Sequence, residues 1–401
     1  MIDLTPLESS CSRHIDELLS SAFDLEQYLA FHPELSGEEV QSSARIAEFC
    51  RREGMATEHP FAGLPTAFRA AAVRVPRPAG KLCILCEYDA LPIGHGCGHC
   101  AHGMMSALAA AALHRMAGQC SMDVDIIGTP DEELRGAKID MCRAGIFKDY
   151  DFAMMIHSAS ASSTACSVLL ALDMFRISFH GKPAHAAAAP WEGRNALNGV
   201  MLAIHALDML RQHVLPDTRM GWYIVRGGTA SNVIPDSAEF ELTTRHSTRA
   251  YLNQLNERIA RILQGAATAT ETTCDIRSFC LPFDEMNRNR HALSVVGDIM
   301  SSLQIPLTEP DPVKAASSDV GNVSFQCPAV QAELALSDHE FPLHTEEMVR
   351  TVQDPHIIKP LALGARVIAF SMLRLMEHPD RLKEIKDEFA AGKQTGAAEP
   401  V

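Results

Sequence analysis

The segment KLCILCEYDA, Lys81–Ala90, is a short apolar run that ends in charged residues, and two similar runs follow it: MDVDIIGTP at Met122–Pro130 and DFAMMIH at Asp151–His157. Helical patterns such as Ala101–Met116 lie between these runs. Strands that alternate with helices build parallel sheets whose faces are covered by the helices. The sequence therefore predicts an α/β fold with a doubly wound, mostly parallel sheet.

A second pattern begins near Leu172 and interrupts the first. Its segments alternate between strand-like and helix-like patterns in the order β-α-β-β-α-β: Met174–Gly181, Asn195–His213, Met220–Gly228, Ala238–Ser247, Tyr251–Gln264 and Thr272–Ser278. This order predicts an inserted α+β domain of the ferredoxin-like type. We expect a catalytic domain in two parts, residues 1–170 and 283–401, with the insertion at 171–282. A long helix at His356–Met376 and a disordered tail from Gly392 complete the prediction.

Length and charge restrict the class of protein. The 401 residues exceed the roughly 250–300 at which a single core stops growing, so two domains are expected. The 35 Lys and Arg against 50 Asp and Glu give a formal charge of −15, which argues against a nucleic-acid partner. The first residues do not have the pattern of a signal peptide, and no apolar run approaches the roughly 20 residues that cross a bilayer. We expect a cytoplasmic protein with no membrane partner.

Three candidate strands end in residues that can bind a metal ion or move a proton. Asp89 follows the first, Glu132 and Glu133 follow the second, and His157 ends the third. In open α/β sheets, ligands bind beyond the carboxyl ends of the strands, so these side chains are predicted to converge on one site. Each of them taken singly is also compatible with a surface carboxylate or a core histidine, and the Asp-Glu-Glu run with the charged first turn of a helix.

The loop LPIGHGCGHCAHG, Leu91–Gly103, holds further potential ligands. Cys97 and His99 flank one glycine, which allows a tight turn that directs the thiolate and the imidazole to a common point. A second interpretation is structural zinc, because Cys83, Cys86, Cys97 and Cys100 form two C-x-x-C pairs. The first pair lies in a strand-like run, where residues three apart point to opposite faces, so Cys83 and Cys86 are predicted to be core residues.

Eight motifs in this order carry a resemblance to a known family: CEYDALP, GCGHCAHG, GTPDEE, the lone His157, GKPAHAAAAPWEGRNA, ASNVIPDSAE, SDVGNVS and LHTEE. Together they resemble the M20 metallopeptidase family and, within it, the amidohydrolase branch that includes aminobenzoyl-glutamate hydrolases, N-acyl amino acid amidohydrolases and related dipeptidases. The resemblance runs from about His32 to the C-terminal helix, which is nearly the whole chain.

The resemblance implies a centre of two divalent ions, Zn or Mn. The five ligands implied by it are Cys97, His99, Glu133, His157 and His344, with the thiolate of Cys97 as the bridge. Glu132 matches the family's general base, and Asp89 matches the aspartate that orients a ligand histidine. The choice of His344 over the nearby His339 rests on the Leu-His-Thr context alone.

The insertion resembles the family's lid and dimerisation domain, which implies a homodimer. His185 matches the histidine that stabilises the oxyanion, often from the partner subunit, and Asn232 matches the asparagine of the NVIP turn. Arg245 is a candidate for binding a substrate carboxylate, because guanidinium binds carboxylates through two parallel hydrogen bonds. One position departs from the family: Cys100 stands where Asp or Asn is usual, and a second thiolate near the metal would favour zinc.

These observations predict a metal-dependent hydrolase that cleaves the amide bond of an N-acyl amino acid, a dipeptide-like conjugate or an aryl amide. Water activated by the ions would attack, with Glu132 as the base. Two alternatives stay open. The same scaffold could remove the amino group of an aromatic amine, or the chain could be a non-catalytic relative that only binds.

Overall fold

The computed structural model describes residues 4–311 and 315–395, and it divides the chain into two compact units. Unit 1 comprises the described residues up to Val168 and those from Met286 onward. Unit 2 is Leu169–Glu285. The insertion predicted at 171–282 thus lies within a unit of nearly the same extent.

A six-stranded sheet forms the centre of unit 1. Its strands are β1 (Ala56–Glu58), β2 (Phe68–Val73), β3 (Lys81–Cys86), β4 (Asp123–Gly128), β5 (Phe152–Ala159) and β10 (Ala329–Ala335), in the spatial order β1-β2-β4-β3-β5-β10. The four strands from β4 to β10 pair in parallel, and β2 adds an antiparallel edge that β1 extends. Because β3 is central, its residues are nearly all buried, which explains the continuous apolar run in the sequence. The predicted α/β fold is confirmed.

The helices of unit 1 are α1 (Pro6–Phe31), α2 (Val40–Arg52), α3 (His99–Arg115), α4 (Ala137–Arg143), α7 (Arg290–Ser302), α8 (Val320–Ser324), α9 (Glu346–Gln353), α10 (Ile358–Glu377) and α11 (Pro379–Thr395). Helix α3 follows the candidate metal loop directly and packs against α1, α10 and the sheet. Its alanine-rich sequence is buried almost throughout, so the close packing fixes where the loop before it lies.

Unit 2 has the predicted β-α-β-β-α-β order. Its elements are β6 (Ala171–His180), α5 (Ala196–Leu210), β7 (Arg219–Arg226), β8 (Ser237–His246), α6 (Arg249–Ala269) and β9 (Thr273–Ser278). The four strands form an antiparallel sheet in the order β7-β8-β6-β9, and a separate apolar core lies between this sheet and the two helices. This arrangement confirms the ferredoxin-like α+β prediction.

The C-terminal part of the chain contains an apolar helical segment, Pro355–Glu377, followed by helix α11. Among the described residues, Pro355–Glu377 is long and apolar enough to cross a membrane, but 67% of its apolar window is buried inside the structure. It packs against α1 and α3, as core helices do. Helix α11 continues to Thr395, so the prediction of disorder from Gly392 is wrong for its first residues because the helix does not end there. The rest of that tail, residues 396–401, lies outside the described residues.

Candidate metal centre

The ends of three parallel strands supply the candidate site in unit 1. Asp89 lies three residues beyond β3, the Glu132–Glu133 pair lies in the turn after β4, and His157 lies near the end of β5. The Glu pair belongs to a turn that ends before α4 begins, so the alternative of a charged first helical turn does not hold. As the strand-end rule predicts, these positions meet at one edge of the sheet.

Gly98 shapes the loop that carries Cys97 and His99. Its φ is +79°, in the left-handed region, and a Cβ there would come within 2.7 Å of the Ser158 side chain. A larger residue would therefore be strained and would collide with the end of β5. The thiol of Cys97 lies with the side chains of His99 and Glu133 in one group whose ligand atoms are all within 4.8 Å of one another.

Asp89 fixes the orientation of the His99 ring. Its Oδ1 accepts from Nδ1 of His99 at 2.7 Å, and its Oδ2 accepts from the Ser36 hydroxyl at 2.8 Å and the Glu133 backbone N–H at 2.9 Å. Burial alone would raise the pKa of Asp89, but the His99 ring and these hydrogen bonds lower it to about 2. An ionised Asp89 holds the His99 proton on Nδ1, which leaves the Nε2 lone pair for a metal ion.

Two buried atoms face each other without hydrogen-bond partners among the described residues. They are Nε2 of His99 and Oε1 of Glu133, and they lie 3.6 Å apart. Nε2 of His344 lies 3.5 Å from the same Glu133 oxygen. His344 adopts a left-handed backbone conformation, with φ at +62°. Its backbone N–H donates to the Gly96 carbonyl at 2.8 Å, so the loop that carries Cys97 also holds His344 in place.

The ring of His157 lies next to Cys97. Its Nδ1 donates to the Ser158 carbonyl at 2.9 Å, and its Nε2 lies 3.5 Å from the Cys97 sulfur. The five predicted ligands are therefore close neighbours: Cys97 lies next to His157 and in one group with His99 and Glu133, and His344 lies next to Glu133.

These residues fit a metal ion. Nitrogen and oxygen ligands at roughly 2.0–2.2 Å from a tetrahedral zinc ion lie about 3.4 Å from each other, and a sulfur and a nitrogen ligand lie about 3.5 Å apart. The separations of 3.6 Å between His99 and Glu133 and 3.5 Å between Cys97 and His157 match these values. A cation would also pair with the two orphaned buried atoms, which otherwise cost free energy.

Glu132 lies next to the group formed by Cys97, His99 and Glu133 but is not a member of it. One of its carboxylate oxygens is 3.9 Å from Nε2 of His99. Burial and the neighbouring carboxylates of Glu87 and Glu133 raise the pKa of Glu132 well above its ordinary value. A carboxylate whose affinity for a proton is raised, next to the point where ligands converge, has the properties of a general base.

Several other cysteines and histidines of the motifs lie away from the ligands. Cys100 is fully buried in the core next to the Glu26 carboxyl, so it adds no second thiolate to the centre. Cys83 and Cys86 are core residues of β3, as predicted, and the described part of the chain contains no group of cysteines suited to structural zinc. His339 is 61% exposed and pairs with Glu347 at 2.8 Å.

In unit 2, the structure brings His185 and Asn232 together. An isolated bridge pairs His185 with Val233, and the Ala186 N–H donates to the Asn232 carbonyl at 3.0 Å. Nδ1 of His185 accepts from the backbone N–H groups of Ala187 and Ala188. The proton of the neutral ring therefore resides on Nε2, and the exposed side chain can act as a hydrogen-bond donor.

Arg245 lies at the opposite end of the same sheet. It pairs with Leu172 in the register of β6 and β8, whereas the His185 loop follows the other end, where His180 pairs with Ser237. Eight residues of strand at about 3.3 Å each separate Arg245 from Ser237, a distance of about 26 Å. The structure therefore does not bring Arg245 together with His185 and Asn232 within one chain.

Sequence reasoning missed a buried ionic group next to the base. Lys138 donates to Glu87 and to Asp319, both at 2.6 Å, and Glu87 also accepts from His102 at 3.0 Å. Glu87 and Asp319 lie within the motifs CEYDALP and SDVGNVS, so the sequence contained a signal for these two residues. For Lys138 there was none, because a lysine on a short helix is exposed unless tertiary structure supplies partners.

Fold and site together define a metal-dependent hydrolase, and comparison with known proteins supports this class. The family model described as the peptidase dimerisation domain matches residues 171–271. The Xaa-Arg dipeptidase of Mus musculus is 31% identical over 402 aligned residues, which cover 96% of this chain and 93% of that protein. A component of the p-aminobenzoyl-glutamate hydrolase of Escherichia coli is 26% identical, with 91% of each chain covered.

A solved structure has the same fold. The dinuclear metal-binding peptidase of the M20 family from Bacillus subtilis superposes with a TM-score of 0.70 at 18% identity, covering 90% of this chain and 99% of that one. With the similarity along the whole chain to the dipeptidase, these findings establish that the chain belongs to the M20 family. It is a metal-dependent amidohydrolase that acts on C–N bonds.

Proposed function

We propose that the chain hydrolyses the amide bond of dipeptides or N-acyl amino acids with two divalent ions, Zn or Mn, at the centre described above. The observation that carries the proposal is the pair of orphaned ligand atoms of His99 and Glu133, 3.6 Å apart beside Cys97. The proposed ligands are Cys97, His99, Glu133, His157 and His344. When bound, the ions supply Lewis acidity that polarises the substrate carbonyl and acidifies water.

The side chains of this protein divide the remaining work. Asp89 holds His99 in the tautomer whose Nε2 is free to bind a cation. Glu132, which no described hydrogen bond commits to another group, takes the proton of the attacking water and returns it to the leaving amine. His185, with its proton on Nε2, donates a hydrogen bond to the developing oxyanion, beside Asn232. Arg245 binds a free carboxylate of the substrate.

Dipeptides are the first substrate class to test, because the relative aligned along nearly the whole chain is a dipeptidase named for a C-terminal arginine. We would screen dipeptides ending in Arg or Lys, dipeptides ending in neutral residues, N-acyl amino acids, aryl amides and aromatic amines. The zinc and manganese content is measured on the same preparation. Release of ammonia from aromatic amines with no cleavage of any amide would contradict the proposal.

The role of Glu132 is tested with Glu132→Gln, which keeps the shape of the side chain and removes its basicity. We expect kcat to fall by about 10²–10⁴-fold, the usual contribution of a general base, with the metal content unchanged. Normal hydrolysis by this variant at full metal occupancy would contradict the role of Glu132.

We also propose a homodimer formed through unit 2. Strand β7 is an edge of its sheet, and four consecutive apolar residues on it, Trp222–Val225, are each at least 37% exposed. Helix α5 adds exposed Met201, Leu202 and Met209. Exposed apolar edge strands pair with other chains unless something protects them, and a two-fold axis would pair β7 with its copy.

Two copies would also resolve the separation between Arg245 and His185. A small substrate cannot span about 26 Å, so the two side chains can serve one substrate only if they come from different subunits. The cytoplasmic location stays a prediction, and the lack of disulfide bonds among the described residues is compatible with a reducing compartment.

A further inference from the structure

Lys138 is a lysine with no solvent exposure, in the first turn of α4. Its ammonium lies 2.6 Å from Oε1 of Glu87 and 2.6 Å from Oδ1 of Asp319. Its backbone N–H donates to the second oxygen of Asp319 at 2.9 Å. Burying an ammonium costs free energy unless charges of opposite sign compensate for it. The ammonium of Lys138 is therefore held between these two carboxylates.

The carboxylates around Lys138 have the composition of a cation site. Glu87, Glu132 and Asp319 are all buried, and they offer ligand oxygens that lie within 4.8 Å of one another. Oxygen ligands of this kind suit hard cations such as Mg²⁺ or Mn²⁺. Three buried carboxylates without a cation would repel one another and protonate.

This carboxylate group adjoins the proposed two-ion centre. Glu132 precedes the ligand Glu133 in the chain, and Oε2 of Glu87 lies 3.8 Å from Nε2 of His99. The same Glu87 oxygen accepts from Nε2 of His102. Nδ1 of His102 accepts from the Ser158 backbone N–H, so the ring is a neutral donor that contributes no charge. Lys138 is thus the cation that the described structure places in contact with Glu87 and Asp319.

We propose that the Lys138 ammonium permanently fills a third cation position of the metal centre, so that only two divalent ions bind and Glu87 and Asp319 keep their places beside Glu132. Lys138 is a positioning residue in this scheme, since it acts through the carboxylates. The inference rests on the proposed two-ion function. It distinguishes a lysine that substitutes for a metal ion from one that only balances charge in the core.

The test is the metal stoichiometry of Lys138→Met, which keeps a long side chain and removes the ammonium. After dialysis against Mn²⁺ alone, we expect the variant to hold one more equivalent of Mn²⁺ per chain than the wild type. Its melting temperature should rise more steeply with Mn²⁺ concentration. Lys138→Arg keeps the positive charge and should gain no equivalent. Lys138→Met combined with Asp319→Asn removes one proposed ligand and should also gain none.

Folding defects do not obscure the result. If Lys138→Met folds only in the presence of Mn²⁺, the ion has replaced the ammonium and the proposal is supported. If it does not fold with or without Mn²⁺, Lys138→Gln decides, because its amide can still donate to one carboxylate. A folded variant with the wild-type number of ions, or failure of both variants to fold in saturating Mn²⁺, would overturn the proposal.

The comparison also separates this inference from the proposed function. The extra equivalent is counted relative to the wild type, so it does not depend on the wild type binding two ions. A wild type that cleaves no amide while Lys138→Met gains an ion would refute the function and leave the role of Lys138 intact. An active wild type whose Lys138→Met variant gains no ion would support the proposed function and refute the role of Lys138.

Discussion

The ring nitrogens of the site histidines differ in how they are held, and this difference assigns their chemistry. In His99 and His157, Nδ1 donates to an oxygen, so Nε2 carries the lone pair that a cation needs. In His185, Nδ1 accepts from two backbone N–H groups, so Nε2 carries the proton that an oxyanion needs. A neutral imidazole has one nitrogen with a lone pair and one with a proton. The hydrogen-bond partner of Nδ1 therefore determines whether Nε2 can bind a cation or donate a hydrogen bond.

Asp89 is the partner whose loss should be measurable first. We expect Asp89→Asn to weaken metal binding by about 10–100-fold, because the His99 ring loses its ionised acceptor. Competition with a metal chelator measures the affinity. Ser36→Ala is the matched control: it removes one hydrogen bond to Asp89 and leaves the bond to His99, so its effect should be smaller. Unchanged affinity in Asp89→Asn would show that Asp89 does not support the ligand.

A second prediction at this scale separates two histidines five residues apart. His344 lies 3.5 Å from Glu133, whereas His339 pairs with Glu347 on the surface. We expect His344→Ala to lower the number of metal ions per chain and His339→Ala to leave it unchanged. Metal analysis of both variants after identical dialysis is the measurement. The opposite pattern would move the ligand assignment to His339.

At the scale of elements, helix α1 carries an acid inside the core. Glu26 has no solvent exposure, Gln27 donates to one of its oxygens at 2.8 Å, and the other oxygen has no partner among the described residues. Burial raises the pKa of Glu26 from its ordinary value of 4.5 to about 7. Between these values the folded state holds a proton that the unfolded state has lost, so stability falls as pH rises from 4.5 to 7.

Glu26→Gln should remove this loss, because the amide is neutral at every pH. We expect the variant to match the wild type near pH 4.5 and to be more stable by about 3 kcal/mol at pH 8. Urea unfolding at both pH values, with the Mn²⁺ concentration held constant, measures the difference. Asp24→Asn, at an exposed position of the same helix, is the control and should behave as the wild type does. An equal effect of Glu26→Gln at both pH values would contradict the explanation.

Elements also show what the sequence could and could not reveal. The ends of β3, β4 and β5 are predictable, because short apolar runs mark strands and polar residues follow them; this pattern places Asp89, Glu133 and His157 at or near the strand ends. The burial of Lys138 is not predictable from the sequence, because it depends on Asp319, 181 residues further along the chain. Cys100 predicts a second thiolate near the metal, but in the structure its side chain lies in the core next to Glu26.

At the scale of the whole molecule, register determines which residues can share a substrate. The pairing of Arg245 with Leu172, and of Ser237 with His180, is a property of the sheet that no local pattern in the sequence encodes. It separates the proposed carboxylate clamp from the proposed oxyanion donor. Motif matching put both residues in one lid, but could not show that they lie at opposite ends of it.

Mixing two inactive variants tests whether subunits share sites. His185→Ala and Arg245→Ala should each lose most activity alone. If a site takes these residues from different subunits, the mixed dimer contains one intact site and one doubly damaged site. An equal mixture that exchanges subunits should then regain about a quarter of wild-type activity. A mixture as inactive as its components, once subunit exchange has been verified, would show that the two residues do not complete one site across the dimer interface.

The insertion of unit 2 also sets the order in which the centre can be completed. Cys97, His99, Glu133 and His157 precede the insertion in the chain, whereas His344 follows it. Strand β10, which pairs with β5 beside His157, is likewise made after the insertion. A chain still growing on the ribosome therefore carries four of the five proposed ligands through the synthesis of all of unit 2. The proposed metal centre is complete only when the C-terminal segment joins the sheet. A chain can therefore bind its full complement of metal ions only after its synthesis is finished.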